Sequence, residues 1–137
     1  MCSNRPPRQG EVWLVDFNRQ KQKEANKIRP VLIMSNNWQS ELDKQVTVAL
    51  ITSEEEELTN VEPFEVLVEP TTRNGLDRRS KILPHRLQSV DKELRLIERL
   101  GKVEQVIWSQ MWIALWITFT GKKITGKETI AEVLPAL

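Results

Sequence analysis

The sequence predicts a mainly β fold with α (α+β): a small, strongly curved antiparallel barrel closed by one C-terminal helix. Two observations predict it. Short runs of β-branched and aromatic residues recur between Glu11 and Val90 with turn-forming residues between them. After Gly101 the apolar spacing changes from two residues to about four, the period of a helix. A chain of 137 residues fits one hydrophobic core, so a single domain over 1–137 is expected.

The first element, Glu11 to Phe17, reads EVWLVDF. Trp13, Val15 and Phe17 fall on one side of a period-2 pattern and Val12 and Leu14 on the other, so this strand is expected to be buried on both faces. A polar stretch from Asn18 to Ile28 leads to PVLIMS at Pro30 to Ser35, where proline opens the strand because it has no N–H for a ladder. A short helix is expected near Trp38 to Leu42. Val46 to Thr52, VTVALIT, is a third strand rich in β-branched residues, and a loop at Glu54 to Asn60 leads to a fourth at Phe64 to Val68.

Asn74-Gly75 is a turn signal, because both residue types tolerate positive φ. Two short strands follow, near Ser80 to Leu83 and Arg86 to Val90. Val103, Ile107, Met111 and Leu115, with Trp108, Trp112 and Trp116, then recur at four-residue spacing and predict one substantial helix. The segment from Gly121 onward has two glycines and only Ile130, Val133 and Leu134 to dock, so 121–137 reads as a weakly held tail.

Composition narrows the function classes. Cys2 is the only cysteine, which leaves no disulfide framework or cysteine-built zinc site and points to a reducing, cytoplasmic home. No apolar run is long enough to span a bilayer, and Met1 to Gly10 has no apolar signal core, so neither a membrane partner nor export by such a signal is expected. One histidine cannot build a multi-histidine metal site, and no phosphate-binding glycine loop or GxSxG is present, so no metal or cofactor is expected, a carboxylate-only magnesium site being the alternative left open.

Net charge is +1, so any attraction for nucleic acid must come from local segregation. Arg19 to Arg29 holds five basic residues against Glu24, and Arg73 to Arg86 holds five against Asp77. Glu54 to Glu69 holds seven glutamates and no lysine or arginine. Two basic loops facing phosphate, with the acidic segment facing away, is the expected arrangement.

Four segments carry a resemblance: QGEVWLVDF at Gln9 to Phe17, IRPVLIMSN at Ile28 to Asn36, VALITS at Val48 to Ser53, and GLDRRSKIL with LQSVDK between Gly75 and Lys92. In order and spacing they resemble the PemK/MazF family of toxin–antitoxin ribonucleases, over a core of roughly residues 8–118. The resemblance implies an SH3-like barrel, a cytoplasmic homodimer, and a metal-independent endoribonuclease that cleaves single-stranded RNA, often messenger RNA, at short sequences. It also implies a cognate antitoxin with an acidic tail that blocks the groove, in a complex that binds DNA.

The family's catalytic arginine falls on Arg29 and its catalytic threonine on Thr52. Metal-free cleavage uses the neighbouring 2′-hydroxyl as nucleophile, so the protein must orient it, handle two protons and stabilise charge on the phosphoryl oxygens. Arg29 suits the last role, because a guanidinium presents a fixed fork of donors matching phosphate. Thr52 would bond the scissile phosphate or orient the hydroxyl. Glu24 stands where the family's loop has an acid and would either orient Arg29 or accept a proton. Lys27, Ser53, Arg78, Arg79, Ser80 and Arg86 are the remaining candidates for RNA contact.

Two departures bear on mechanism. Gln22-Lys23 stand where the family usually has Gly-Ser, and His85-Arg86 where it often has an acid followed by glutamine. His85 either shuttles protons near neutral pH, is a structurally bonded histidine, or marks altered or lost activity. The alternatives are therefore a non-catalytic barrel that binds nucleic acid or peptide, and a toxin of the same fold acting on DNA gyrase. The helical tryptophans read as core or subunit contact, and Trp38, among polar neighbours, as exposed.

Overall fold

The structure, a computed structural model, describes residues 5–17 and 28–122. Among the described residues six strands are formed: β1 (Glu11–Asp16), β2 (Ile28–Ile33), β3 (Gln45–Thr52), β4 (Val66–Val68), β5 (Ser80–Asp91) and β6 (Leu96–Lys102). Three helices accompany them: α1 (Asn37–Leu42), α2 (Glu55–Leu58) and α3 (Gln105–Thr120). The strands build one antiparallel sheet in the order β4-β5-β3-β2-β1-β6. Its curl and the helix after it match the barrel expected from the sequence.

The sheet buries apolar side chains on both faces, as strand alternation requires. Val12, Leu32, Ala49, Ile51, Val66, Val68 and Ile82 form one core with Met111 and Ala114 of α3. Val15, Val31, Ile33, Val46, Val48 and Val90 form the other, with Trp13, Phe17, Leu50 and Leu96 half-buried against it. β1 feeds both cores, which is why its sequence is a nearly unbroken apolar run.

Several elements differ from expectation for identifiable reasons. β5 is one twelve-residue strand rather than two. Leu50 pairs with Leu83 and Ala49 with Leu87, so Pro84, His85 and Arg86 bulge out of the β3 ladder without ending the strand. The fully buried Pro84 sits where no N–H is demanded of it.

β6 gave no sequence signal because two register shifts against β1 break its alternation and most of its side chains are exposed. The acidic run forms the single turn α2, its three glutamates lying at the positive end of the helix. At Asn74-Gly75 only the glycine takes positive φ, 73°. A Cβ there would lie 2.1 Å from the Leu100 carbonyl oxygen, so this backbone rests directly on β6. Asn74 is fully buried and serves instead as a polar anchor: its Oδ1 accepts from the Thr71 and Leu76 amides and its Nδ2 donates to the Glu69 carbonyl.

α3 begins without a side-chain cap, because the Glu104 carboxylate is engaged by Thr71 and Asn74. It ends on Gly121, whose left-handed conformation lets its N–H reach the Ile117 carbonyl. No residue of α3 is charged, and Val106, Trp112, Ile113 and Phe119 remain exposed on its outer side. Trp108 packs against the core and meets Trp112 edge to face. Trp38 is exposed, as its neighbours suggested. No helix among the described residues is long and apolar enough to cross a membrane.

Candidate functional site

Sheet register brings the two central candidates together. Val31 pairs with Leu50 across β2 and β3, and the same antiparallel register carried two residues further sets Arg29 opposite Thr52. Thr52 in turn pairs with Lys81 of β5, Lys81 with Leu67 of β4, and Arg29 with Val15 of β1. Val15 with Arg29, and Thr52 with Lys81 and Leu67, therefore form two paired sets that fall in line when the β2–β3 register is extended past its last pair, Val31 with Leu50. Directly opposed residues share a face with Cβ atoms about 5 Å apart, so Arg29, Thr52 and Lys81 all emerge away from α3.

Burial differentiates them. Arg29 is exposed at the start of β2, where the chain enters from the basic loop. Thr52 is buried at the end of β3, with its hydroxyl accepting a long bond, 3.4 Å, from the Glu54 amide. Ser53, the next residue, is half-buried. A rigid hydroxyl beside a solvent-facing guanidinium can hold a phosphodiester from two sides.

The remaining candidates are distributed around this row. Arg78, Arg79 and Arg86 are exposed. Ser80 is buried opposite Val68 on the helix side of the sheet, where its hydroxyl donates to the Arg78 carbonyl. His85 is half-buried in the β5 bulge, its ring edge to face with Phe64 at 4.7 Å. Burial, Arg86 and Lys81 hold its imidazole below the ordinary value, against the opposing pull of Glu65. Glu24 and Lys27, with most of the Arg19 to Arg29 loop, lie outside the described residues.

The acidic segment does not face away as a block. Glu65 makes a buried ion pair with Lys81 at 2.9 Å, and Glu69 pairs with Arg79 at 3.0 Å. The expectation of an isolated acidic loop is corrected: two of its glutamates neutralise part of the Arg73 to Arg86 stretch. Burial pushes the Glu65 carboxyl up, but the Glu62 amide and the Lys81 ammonium outweigh it and hold it below the usual range. Sequence reading counted Glu65 and Lys81 only as members of two charge runs. No local signal shows that residues sixteen apart share one buried contact.

A large open groove of about 1090 Å³ lies elsewhere, over Trp13, Leu96 and Ile97. Its cations are already engaged. Arg5 and Arg99 bond the buried Glu11 carboxylate, and Lys92 donates to the Ser40 and Glu41 carbonyls at the end of α1. Among the described residues no group of three or more His, Cys, Asp or Glu side chains could hold a metal ion.

Comparison with known proteins bears on the family and the fold. Residues 8–119 match the family described as PemK-like, MazF-like toxin of type II toxin–antitoxin system. Endoribonuclease MazF9 of Mycobacterium tuberculosis is 32% identical over 113 residues, covering 79% of this chain and 92% of that protein. A mycobacterial endoribonuclease solved with its cognate antitoxin superimposes with a TM-score of 0.66 at 20% identity, over 82% of this chain and 94% of that one. MazF from Deinococcus radiodurans gives 0.64 at 21% identity, over 85% and 98%. At these identities the structural likeness speaks to fold.

Proposed function

The chain belongs to the PemK-like, MazF-like toxins of type II toxin–antitoxin systems, an endoribonuclease toxin family, and from that premise we propose how it cuts and what it meets. It cleaves single-stranded RNA, messenger RNA included, at short sequences and without a metal ion. The 2′-hydroxyl next to the scissile phosphate attacks, giving a 2′,3′-cyclic phosphate and a free 5′-hydroxyl. The observation that supports this reading is the β2–β3 register, Val31 opposite Leu50, which extended by two residues brings Arg29 toward Thr52 on one sheet face.

Each residue has a part. Arg29 stabilises the charge that grows on the phosphoryl oxygens, where its pre-aimed donors cost no reorganisation. Thr52, held rigid by burial, bonds the phosphate or orients the attacking hydroxyl. Ser53 continues that edge. Lys27, Arg78, Arg79 and Arg86 track the RNA backbone, and Ser80 enters through the Arg78 carbonyl that it holds. Glu24 orients Arg29 or takes a proton, and His85 moves a proton at the β5 bulge.

Two partners follow from the same surfaces. The uncharged α3, with Trp112 and Ile113 outward, is covered by a second copy in a homodimer. The exposed Arg29, Arg78 and Arg86 suit the acidic tail of a cognate antitoxin, which occupies the RNA track.

The test is incubation of the protein and its Arg29→Ala variant with long single-stranded RNA in EDTA, with mapping of fragment ends. Cleavage by the parent alone, leaving 2′,3′-cyclic phosphates, is expected. Cleavage that requires added Mg²⁺, or equal cutting by the variant, would overturn the mechanism.

A further inference from the structure

The Glu65–Lys81 pair is out of proportion to any stabilising role. Its side chains are 8% and 7% exposed, and burying two charges costs nearly as much as their attraction returns. What such a pair does well is fix geometry. Lys81 Nζ donates to Glu65 Oε1 at 2.9 Å and to the Asn60 carbonyl at 3.2 Å, while Glu65 Oε1 also accepts from the Glu62 amide at 3.0 Å. The two lysine bonds tie residues 60 and 65 to β5 at the position that pairs with Thr52, and the third closes the turn between Glu62 and Glu65.

The tied segment includes Phe64, whose ring meets His85 edge to face, 84° between planes. His85 stands in the three-residue bulge, so pairing with β3 does not locate it. Its Nδ1 is enclosed and has no hydrogen-bond partner among the described residues. A side chain so placed takes its position from Phe64, next to Glu65, whose ring packs on the imidazole and whose backbone hydrogen-bonds it.

We propose that the buried Glu65–Lys81 pair is a positioning element of the reaction centre, holding Phe64 against His85 and so fixing the imidazole relative to Thr52. The inference rests on the reading of His85 as a proton-transfer group. Neither charged residue needs to touch RNA. The groups facing the imidazole are Arg86 and Lys81 on its own strand and Glu65 from the segment entering β4.

His85 is the only histidine in the chain, so its imidazole can be titrated by NMR in the intact protein without assignment ambiguity. The set is the parent, Glu65→Gln, Lys81→Met, Lys81→Arg and Phe64→Leu, each titrated and each assayed for kcat and KM against pH on single-stranded RNA. Glu65→Gln should lower the His85 midpoint and Lys81→Met should raise it, each by about half a unit or more. Loss of kcat with little change in KM should accompany both, Lys81→Arg should restore most of it, and Phe64→Leu should reproduce the loss with both charges in place.

Variants that lose thermal stability yet leave the His85 midpoint and the kcat profile where they were would overturn the inference. Should Glu65→Gln or Lys81→Met fail to fold, Lys81→Arg and Phe64→Leu decide it by the same two readouts. Parent-like cleavage by His85→Ala would instead refute the proton-transfer reading beneath it, and the NMR midpoints separate the two failures.

Discussion

Arg99 Nε donates at 2.7 Å to the Glu11 carboxylate, joining β6 to the first residue of β1 across 88 positions of sequence. Arg5 adds a second guanidinium at 2.9 Å, and the Arg8 amide and the Trp13 indole complete the set. Burial alone would raise the Glu11 carboxyl, but these four donors overcome it and bring it down to about 2. Because the folded-state value lies below the unfolded one, the stabilisation is fully present above about pH 4.5 and is lost as pH falls toward 2.

Urea denaturation should show this directly. Glu11→Gln is expected to cost roughly 3 kcal/mol at pH 7, the worth of a shift of that size. The gap between parent and variant should close as pH drops through the interval just named. A gap that stays constant down to pH 2.5 would show that the carboxylate is not held by its donors.

Thr52 supplies a sharper test of chemistry than of folding. Among the described residues its hydroxyl takes part in one bond, the long one from the Glu54 amide, worth at most about 0.5 kcal/mol. Thr52→Val should therefore unfold within a few degrees of the parent while cleavage falls by about ten- to a hundredfold, as when one aimed group is removed. Unchanged cleavage would remove Thr52 from the centre.

For Arg29, lysine is an informative replacement. It preserves the charge on an exposed residue but not the planar fork, so Arg29→Lys should bind RNA nearly as well and cut it about a hundredfold more slowly. Recovery of full activity in the lysine variant would reduce Arg29 to a point charge.

The glycines separate conformational strain from collision. Gly75 combines φ 73° with a Cβ position 2.1 Å from the Leu100 oxygen, whereas Gly121 has φ 69° and open space. Gly121→Ala should cost about 1 kcal/mol and Gly75→Ala roughly 2–4 kcal/mol. Thermal melts of the two variants that coincide would contradict the packing of the Asn74-Gly75 turn on β6.

The outer side of α3 predicts a change of assembly. Ile113→Glu places charge on an exposed apolar position and should convert dimer to monomer in sedimentation while leaving the far-UV spectrum unchanged. Dimers that persist in the variant would move the subunit contact to another face.

Much of this arrangement was legible in the sequence. Alternation marked β1 to β3, the four-residue spacing marked α3, and the family resemblance of IRPVLIMSN and VALITS singled out Arg29 and Thr52; that their strands are neighbours came from the sheet order. β6 was not legible, because its two bulges against β1 erase the period that strand reading depends on. Nor was the Glu65–Lys81 contact, since charge runs are one-dimensional and ion pairing is settled by the register of β4 on β5.

The bulge at Pro84, His85 and Arg86 has a consequence for how such a protein can change over time. His85 and Arg86, outside the β3 ladder and not fully buried, can be exchanged without shifting the strands on either side, whereas the buried Pro84 is held by packing. The chain thus keeps an adjustable position inside an otherwise inflexible sheet. Chemistry at that position can drift between lineages, or be redesigned, while the frame that carries Arg29 and Thr52 stays the same.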